Sequence, residues 1–246
     1  MTNLFKIILG NIWRWWFFFI GILLFVIHYP LLVLLLNNRK SFPAAFKLMR
    51  FNARLLFLFT GVIPSVEGKQ YLNKNKTYVF CINHSSYIDI VTCYVAIAQH
   101  FHMMGKAELN DIPMFNIFFK KMNIPVNRGS ITESHKAYQR ACNDIESNIS
   151  IIIFPEATIP ADAPKLGNFK NGPFKLAIEK KVPCVPVTFC TNYKLLPDNI
   201  LFRKFGGRPG ICKVIIHQPI DTQNMVDADV SKLKQTVFDI IKNDLP

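Results

Sequence analysis

This 246-residue sequence predicts an α/β fold: a largely parallel central sheet flanked by helices, with an N-terminal amphipathic or membrane helix pair in front of it. Three observations lead there. From Gly68 onward, short runs rich in β-branched or aromatic residues alternate with helical segments. Before that point, residues 1–66 hold no Asp or Glu and seven basic residues: Lys6, Arg14, Arg39, Lys40, Lys47, Arg50 and Arg54. Half of the chain is apolar, which excludes a disordered protein and allows a full core. The expected division is residues 1–66 as membrane-anchoring helices and 67–246 as the α/β domain.

Taken in order, the first element is Trp15–Leu36, 22 residues without a charge, enough to cross a bilayer core that needs about 20. It is too long for the apolar region of a signal peptide. Trp13, Trp15 and Trp16 cluster at one end as an interfacial aromatic belt does, and Pro30 is a point for a kink or break. In Ser41–Thr60, Lys47, Arg50 and Arg54 share one helical face while Phe46, Met49, Ala53, Leu56 and Phe57 lie elsewhere. That pattern reads as a helix lying among lipid headgroups. Basic charge is heavier after the apolar span than before it, which puts the body on the cytoplasmic side.

Strands follow at Tyr78–Asn83, Phe101–Gly105, Ile124–Asn127, Ser150–Phe154, Val182–Cys190 and Cys212–His217. Helices are expected at Tyr87–Ala98, Met114–Met122, Glu133–Ser147, Phe174–Lys181 and Val230–Asn243. Six cysteines form no CxxC pair and no zinc spacing with the histidines, so they read as small buried hydrophobes and no metal site is expected. The net charge of +13 suits nucleic acid, an anionic membrane or an acidic ligand. Here the basic residues are interleaved with Phe, Leu and Trp rather than set in a polar arm, which favours the bilayer over nucleic acid.

The strand ends carry the chemistry. Val79-Phe80-Cys81-Ile82 delivers Asn83-His84-Ser85-Ser86 to the edge where α/β sheets bind ligands, and Asp89 begins the next helix. A tight turn there lets the carboxylate fix one imidazole nitrogen and leave the other as a base. The alternative is a loop histidine beside a helix-capping aspartate. Three further strand ends carry Lys106, Arg128 and Glu156, so one edge gathers a base, two cations and a carboxylate.

With those residues in view, the sequence resembles the glycerolipid acyltransferase family of 1-acylglycerol-3-phosphate O-acyltransferase type. Asn83, His84, Ser86 and Asp89 match its NHxSxxD motif, and Lys106-Ala107-Glu108-Leu109 with Ile112–Phe115 match the next segment. Arg128 closes the second motif, Phe154-Pro155-Glu156-Ala157-Thr158-Ile159 stands for FPEGTR, and Phe169-Lys170-Asn171-Gly172 and Val185-Pro186-Val187 match downstream segments. The resemblance covers residues 78–190. It implies transfer of an acyl group from acyl-CoA or acyl carrier protein to the hydroxyl of 1-acylglycerol-3-phosphate, giving phosphatidate at the cytoplasmic face of the inner (plasma) membrane. His84 and Asp89 are then the base pair, Lys106 and Arg128 hold the phosphate, and Glu156 and Thr158 position the glycerol. Asn83, Ser86, Lys170 and Gly172 support the site, and no cofactor or metal is needed.

Two departures from the family pattern stand out. Ala157 replaces a glycine where the backbone calls for positive φ, and Ile159 replaces an arginine of the phosphate site. The second change admits another acceptor, such as a lyso-aminolipid. An inactive lipid-binding or scaffolding relative is the reading from outside enzymology.

Overall fold

The computed structural model describes residues 2–111, 114, 116–197 and 206–246. Ile112, Pro113 and Phe115 of the resemblance, and the start of the expected Met114 helix, therefore lie partly outside the described residues. Seven strands form one sheet in the order β1-β7-β6-β2-β5-β3-β4. They are β1 (Val62–Glu67), β2 (Val79–Ile82), β3 (Phe101–Lys106), β4 (Ile124–Val126), β5 (Ser150–Ile153), β6 (Cys184–Phe189) and β7 (Gly210–Ile216). The five strands β4, β3, β5, β2 and β6 run parallel, as alternating strands and helices demand. β7 turns back antiparallel to β6, and β1 lies parallel to β7 on the edge.

Every residue of β2 is fully buried because helices cover both faces of the sheet. Phe80 and Ile82 join the core beneath α1 (Thr2–Leu36), α2 (Phe42–Thr60), α3 (Asp89–Ala96) and α4 (Asn116–Lys121). Val79 and Cys81 join the opposite core with α5 (Ile131–Glu146), α6 (Gly172–Glu179) and α8 (Val230–Asn243). The alternation is the two-residue period of a strand. A short α7 (Asn192–Leu195) follows β6. Sequence patterning missed β1, whose Pro64 and Ser65 break the apolar run. A proline is tolerated there because an edge strand leaves N–H groups unpaired anyway.

The N-terminal pair departs from expectation in three ways. First, α1 continues past Pro30 to Leu36, with the proline exposed. Second, Trp13 Nε1–H donates to the carbonyl of Thr60 at 2.8 Å and Trp16 Nε1–H to that of Phe59 at 3.0 Å. These indole N–H groups satisfy carbonyls at the end of α2, so they serve the helix pair and not headgroups, while the rings of Trp15 and Trp16 stay exposed. Third, Phe46, Met49, Ala53, Leu56 and Phe57 of α2 are buried inside the protein, so its apolar face is covered by the fold and not by lipid. Arg50 is also committed, donating to the carbonyls of Tyr94 and Ala98 at the end of α3 at 3.1 and 3.2 Å.

Most of the outward apolar surface belongs to α1, with Phe51, Leu58 and Phe59 of α2 adding to it. Phe17, Ile20, Leu24, Leu32 and Leu36 pack inward, while Phe5, Ile12, Phe19, Ile22, Val26, Ile27 and Leu34 are exposed. With 35 residues, α1 is about 52 Å long and lies along the domain instead of standing away from it. A Trp13→Phe substitution removes one donor and leaves the Thr60 carbonyl without it. The expected cost is about 1 kcal/mol, read as a fall of about 2–4 °C in thermal midpoint; an unchanged midpoint would mean that this bond does not hold the pair.

Candidate active site

The first site residues stand three positions beyond paired strand residues. Cys81 of β2 is in register with Ile153 of β5, so His84 and Glu156 leave the sheet side by side. Asn83 fixes the next neighbour. Its amide donates to the Phe189 carbonyl at 3.3 Å and accepts from the Phe189 N–H at 2.7 Å, tying the end of β2 to the end of β6.

Residues 83–89 wrap around the Asp89 carboxylate, which is fully buried. Its Oδ2 accepts from His84 Nδ1 at 2.8 Å and from the N–H groups of Ser85 and Ser86 at 2.7 and 2.9 Å. Its Oδ1 accepts from the Asn192 side chain at 2.7 Å. A carboxylate only accepts, so the proton of the neutral imidazole sits on Nδ1 and the Nε2 lone pair is left for chemistry. No partner for Nε2 is found among the described residues. The imidazole stacks on Phe154, with ring centroids 4.3 Å apart and planes 22° from parallel. Its orientation is thus fixed from two directions.

Ser86 is fully buried and its hydroxyl donates to the Leu196 carbonyl while accepting from the Ile88 N–H at 3.2 Å. That is a turn-building role, and it keeps the hydroxyl from solvent. Glu156 is also buried. One oxygen accepts from the His84 N–H at 2.8 Å and the other from the Gly167 N–H at 2.6 Å. Burial pushes its pKa up, opposed by those two donors. Both carboxylate oxygens are therefore engaged with backbone, which makes Glu156 a clamp between the His84 loop and residues 160–170. Gly167 suits this close approach, since a Cβ there would stand 3.3 Å from Glu156 Oε2.

The cations form a separate group farther along the same edge. Lys106 Nζ lies 3.2 Å from Glu108 Oε1, and both side chains are exposed. The Glu108 carboxyl is held below its ordinary value by its backbone N–H, then by Lys106, with Arg128 adding a smaller attraction. Lys106, Glu108 and Arg128 therefore make one charged cluster, with no direct bond to His84. Thr158 is exposed just past Ala157. Lys170 is exposed and its N–H donates to the Pro155 carbonyl at 2.9 Å, while Gly172 opens α6 with open space around it. Neither is bonded to the His84 loop. Sequence reasoning singled out neither Asn192, which sits 103 positions from Asp89, nor Phe154 as a stacking partner.

Residues 64–190 match the model of the family described as Acyltransferase, just over half of the chain. The chain belongs to the acyltransferase family. Among similar proteins, "1-acyl-sn-glycerol-3-phosphate acyltransferase BAT2, chloroplastic" of Brassica napus is 27% identical over 207 residues, covering 81% of this chain and 56% of that protein. A "1-acyl-sn-glycerol-3-phosphate acyltransferase" of Haemophilus influenzae is 28% identical over 166 residues, covering 67% of this chain and 66% of that one. This chain spans about half the length of the plant relatives it matches. The fold is shared with the crystal structure of the 1-acyl-sn-glycerophosphate (LPA) acyltransferase PlsC from Thermotoga maritima, at TM-score 0.80 and 22% identity over 96% of this chain and 94% of that one.

Within this acyltransferase domain, Ala157 adopts φ of 70°, the left-handed conformation expected from the glycine it replaces. A methyl-bearing residue is strained there by about 1 kcal/mol or more. Ala157→Gly should therefore stabilise the protein by about 0.5–1 kcal/mol after the added freedom of the unfolded chain is subtracted. Denaturant unfolding measures it, and a destabilised variant would show that the strain is not where the backbone angle puts it.

Proposed function

We propose that this acyltransferase moves a fatty acyl group from acyl-CoA or acyl carrier protein to the free hydroxyl of 1-acylglycerol-3-phosphate, producing phosphatidate. The observation that carries the reading is the 2.8 Å contact between His84 Nδ1 and a buried Asp89 whose other acceptor sites are already filled. The acceptor hydroxyl oxygen attacks the thioester carbonyl carbon as His84 Nε2 removes its proton. The imidazolium that forms is stabilised by Asp89. Collapse of the tetrahedral intermediate breaks the C–S bond, and the thiolate takes the proton from His84. The atoms balance without a cofactor, a metal or a protein nucleophile.

The Lys106–Arg128 cluster supplies charge-assisted donors for the phosphate, with Glu108 holding it together until the substrate arrives. Thr158 contacts the glycerol end, and Glu156 acts on the reaction by holding the His84 backbone. Lys170 and Gly172 carry the loop and helix that flank this site.

The helix pair α1–α2 holds the catalytic unit on the cytoplasmic face of the inner membrane. The apolar outer stripe of α1 enters one leaflet while its inner stripe stays on the domain. Lipid acceptor and lipid product then reach the sheet edge without leaving the interface. Changing Phe19, Ile22 and Val26 together to Gln should lower sedimentation with liposomes at least tenfold while leaving the protein folded, since each buried apolar side chain contributes about 1.5–3 kcal/mol. Full retention on liposomes would remove this face from the membrane.

Ile159 supports a second reading of the acceptor. It is half-buried and apolar where the family pattern has an arginine, so a hydroxylated lysolipid without a phosphomonoester, such as a lyso-aminolipid, suits the site as well. Thiol release by purified protein in detergent separates the two, using acyl-CoA or acyl carrier protein with a panel of lysolipids. Lysophosphatidate-dependent release that His84→Ala lowers by at least a thousandfold supports the first reading. Release only with a phosphate-free acceptor, regained toward lysophosphatidate in Ile159→Arg, supports the second. No His84-dependent release would leave a lipid-binding scaffold.

A further inference from the structure

Asn192 lies outside the segment that matches the family, at the start of α7, and its side chain is completely buried. It reaches across to the His84 loop and donates from Nδ2 to Asp89 Oδ1 at 2.7 Å. The same nitrogen donates to Thr92 Oγ1 at 3.1 Å, and that hydroxyl donates to the Ile88 carbonyl at 3.0 Å. On its other side, Asn192 Oδ1 accepts from the Cys212 thiol at 3.1 Å.

These partners fix which way the amide points. A carboxylate needs a donor, and burial pushes the Cys212 thiol up to about 12, so it stays protonated and donates. Only one orientation of the amide satisfies both neighbours. The remaining contacts show that the segment after β6 closes on the catalytic loop as a unit. Phe189 pairs with Asn83, Leu196 accepts from the Ser86 hydroxyl, and Ser86 and Pro197 form a β-bridge.

We infer that Asn192 is a positioning residue for the His84–Asp89 pair, holding the outer carboxylate oxygen so that the inner one stays aimed at His84 Nδ1. Three of the four donors on Asp89 come from its own loop, and a loop alone can rotate with its carboxylate. Among the described residues Asn192 is the one donor from another element, and it ties the carboxylate to the sheet through β6 and β7. This role rests on the proposed His84–Asp89 chemistry. Besides His84, the titratable groups that face this network are Glu156, Cys93 and Cys212, which Asp89 influences electrostatically.

The test runs N192A, N192D and H84A beside the unaltered protein in the thiol-release assay, with kcat, KM and the pH dependence of kcat/KM for each. N192A is expected to lose about ten- to a hundredfold in kcat, the worth of one charge-assisted hydrogen bond, with both KM values within twofold. N192D is isosteric, and at low pH its protonated carboxyl donates to Asp89 as the amide does. As that shared proton leaves, the donor is lost and two like charges face each other. A falling limb should therefore appear on the high-pH side of the N192D profile where the unaltered protein has a plateau. If N192A does not fold, the N192D profile decides alone. A profile superimposable on that of the unaltered protein, or an N192A variant that loses only thermal stability, overturns the inference. If H84A retains activity, the fault lies with the His84–Asp89 reading instead.

Discussion

A fully buried Asp89 carboxylate is the constraint around which this molecule is organised. Ionised and removed from water, such a group costs several kcal/mol unless its oxygens are fully paired. Four donors do this, and each fixes a different part of the site. The N–H groups of Ser85 and Ser86 dictate the tight turn after β2. His84 receives its tautomer and orientation from the same atom. Asn192 brings in the segment after β6, which in turn must pass close to the His84 loop. The parallel sheet makes this feasible, because β2, β5 and β6 end at the same edge and deliver His84, Glu156 and Asn192 there.

Glu156 performs the same service for the backbone that Asp89 performs for the imidazole. Its two oxygens bind N–H groups from two different loops, so a carboxylate that reads in sequence as a substrate ligand is a structural clamp in the fold. The exposed cations are arranged differently. Lys106, Glu108 and Arg128 are solvated and mutually attracted, a loose arrangement that an anionic ligand can reorganise at small cost. Rigid parts thus surround His84, and adaptable ones lie farther along the same edge.

The N-terminal helices divide labour in a way composition does not reveal. Both are apolar and basic, yet α2 spends its apolar face on the core and its Arg50 on the end of α3. α1 keeps its outer stripe uncovered along nearly its whole length. Trp13 and Trp16 join the two helices through the carbonyls of Thr60 and Phe59 at the end of α2. α1 is thereby clamped to the domain along the end of α2 and does not stand away from it.

The sequence by itself determined the sheet's parallel core, the order of the helices after residue 68 apart from the short α7, and the His84–Asp89 pair. These depend on local periodicity and on residues five positions apart, which a short turn necessarily brings together. It also marked Ala157 as a residue in a glycine's place, because the resemblance sets it at the glycine of FPEGTR, and the φ of 70° agrees. Only the tertiary structure decided the rest. β1 escaped notice since an edge strand needs no apolar run, and the antiparallel return of β7 depends on a connection whose path no periodicity encodes. The inward face of α2 and the outward face of α1 look alike in composition; which one is covered depends on what packs beneath each. Asn192, 103 residues from the carboxylate it holds, carries no local signal at all, because its role exists only where β6 and β7 bring it beside Asp89.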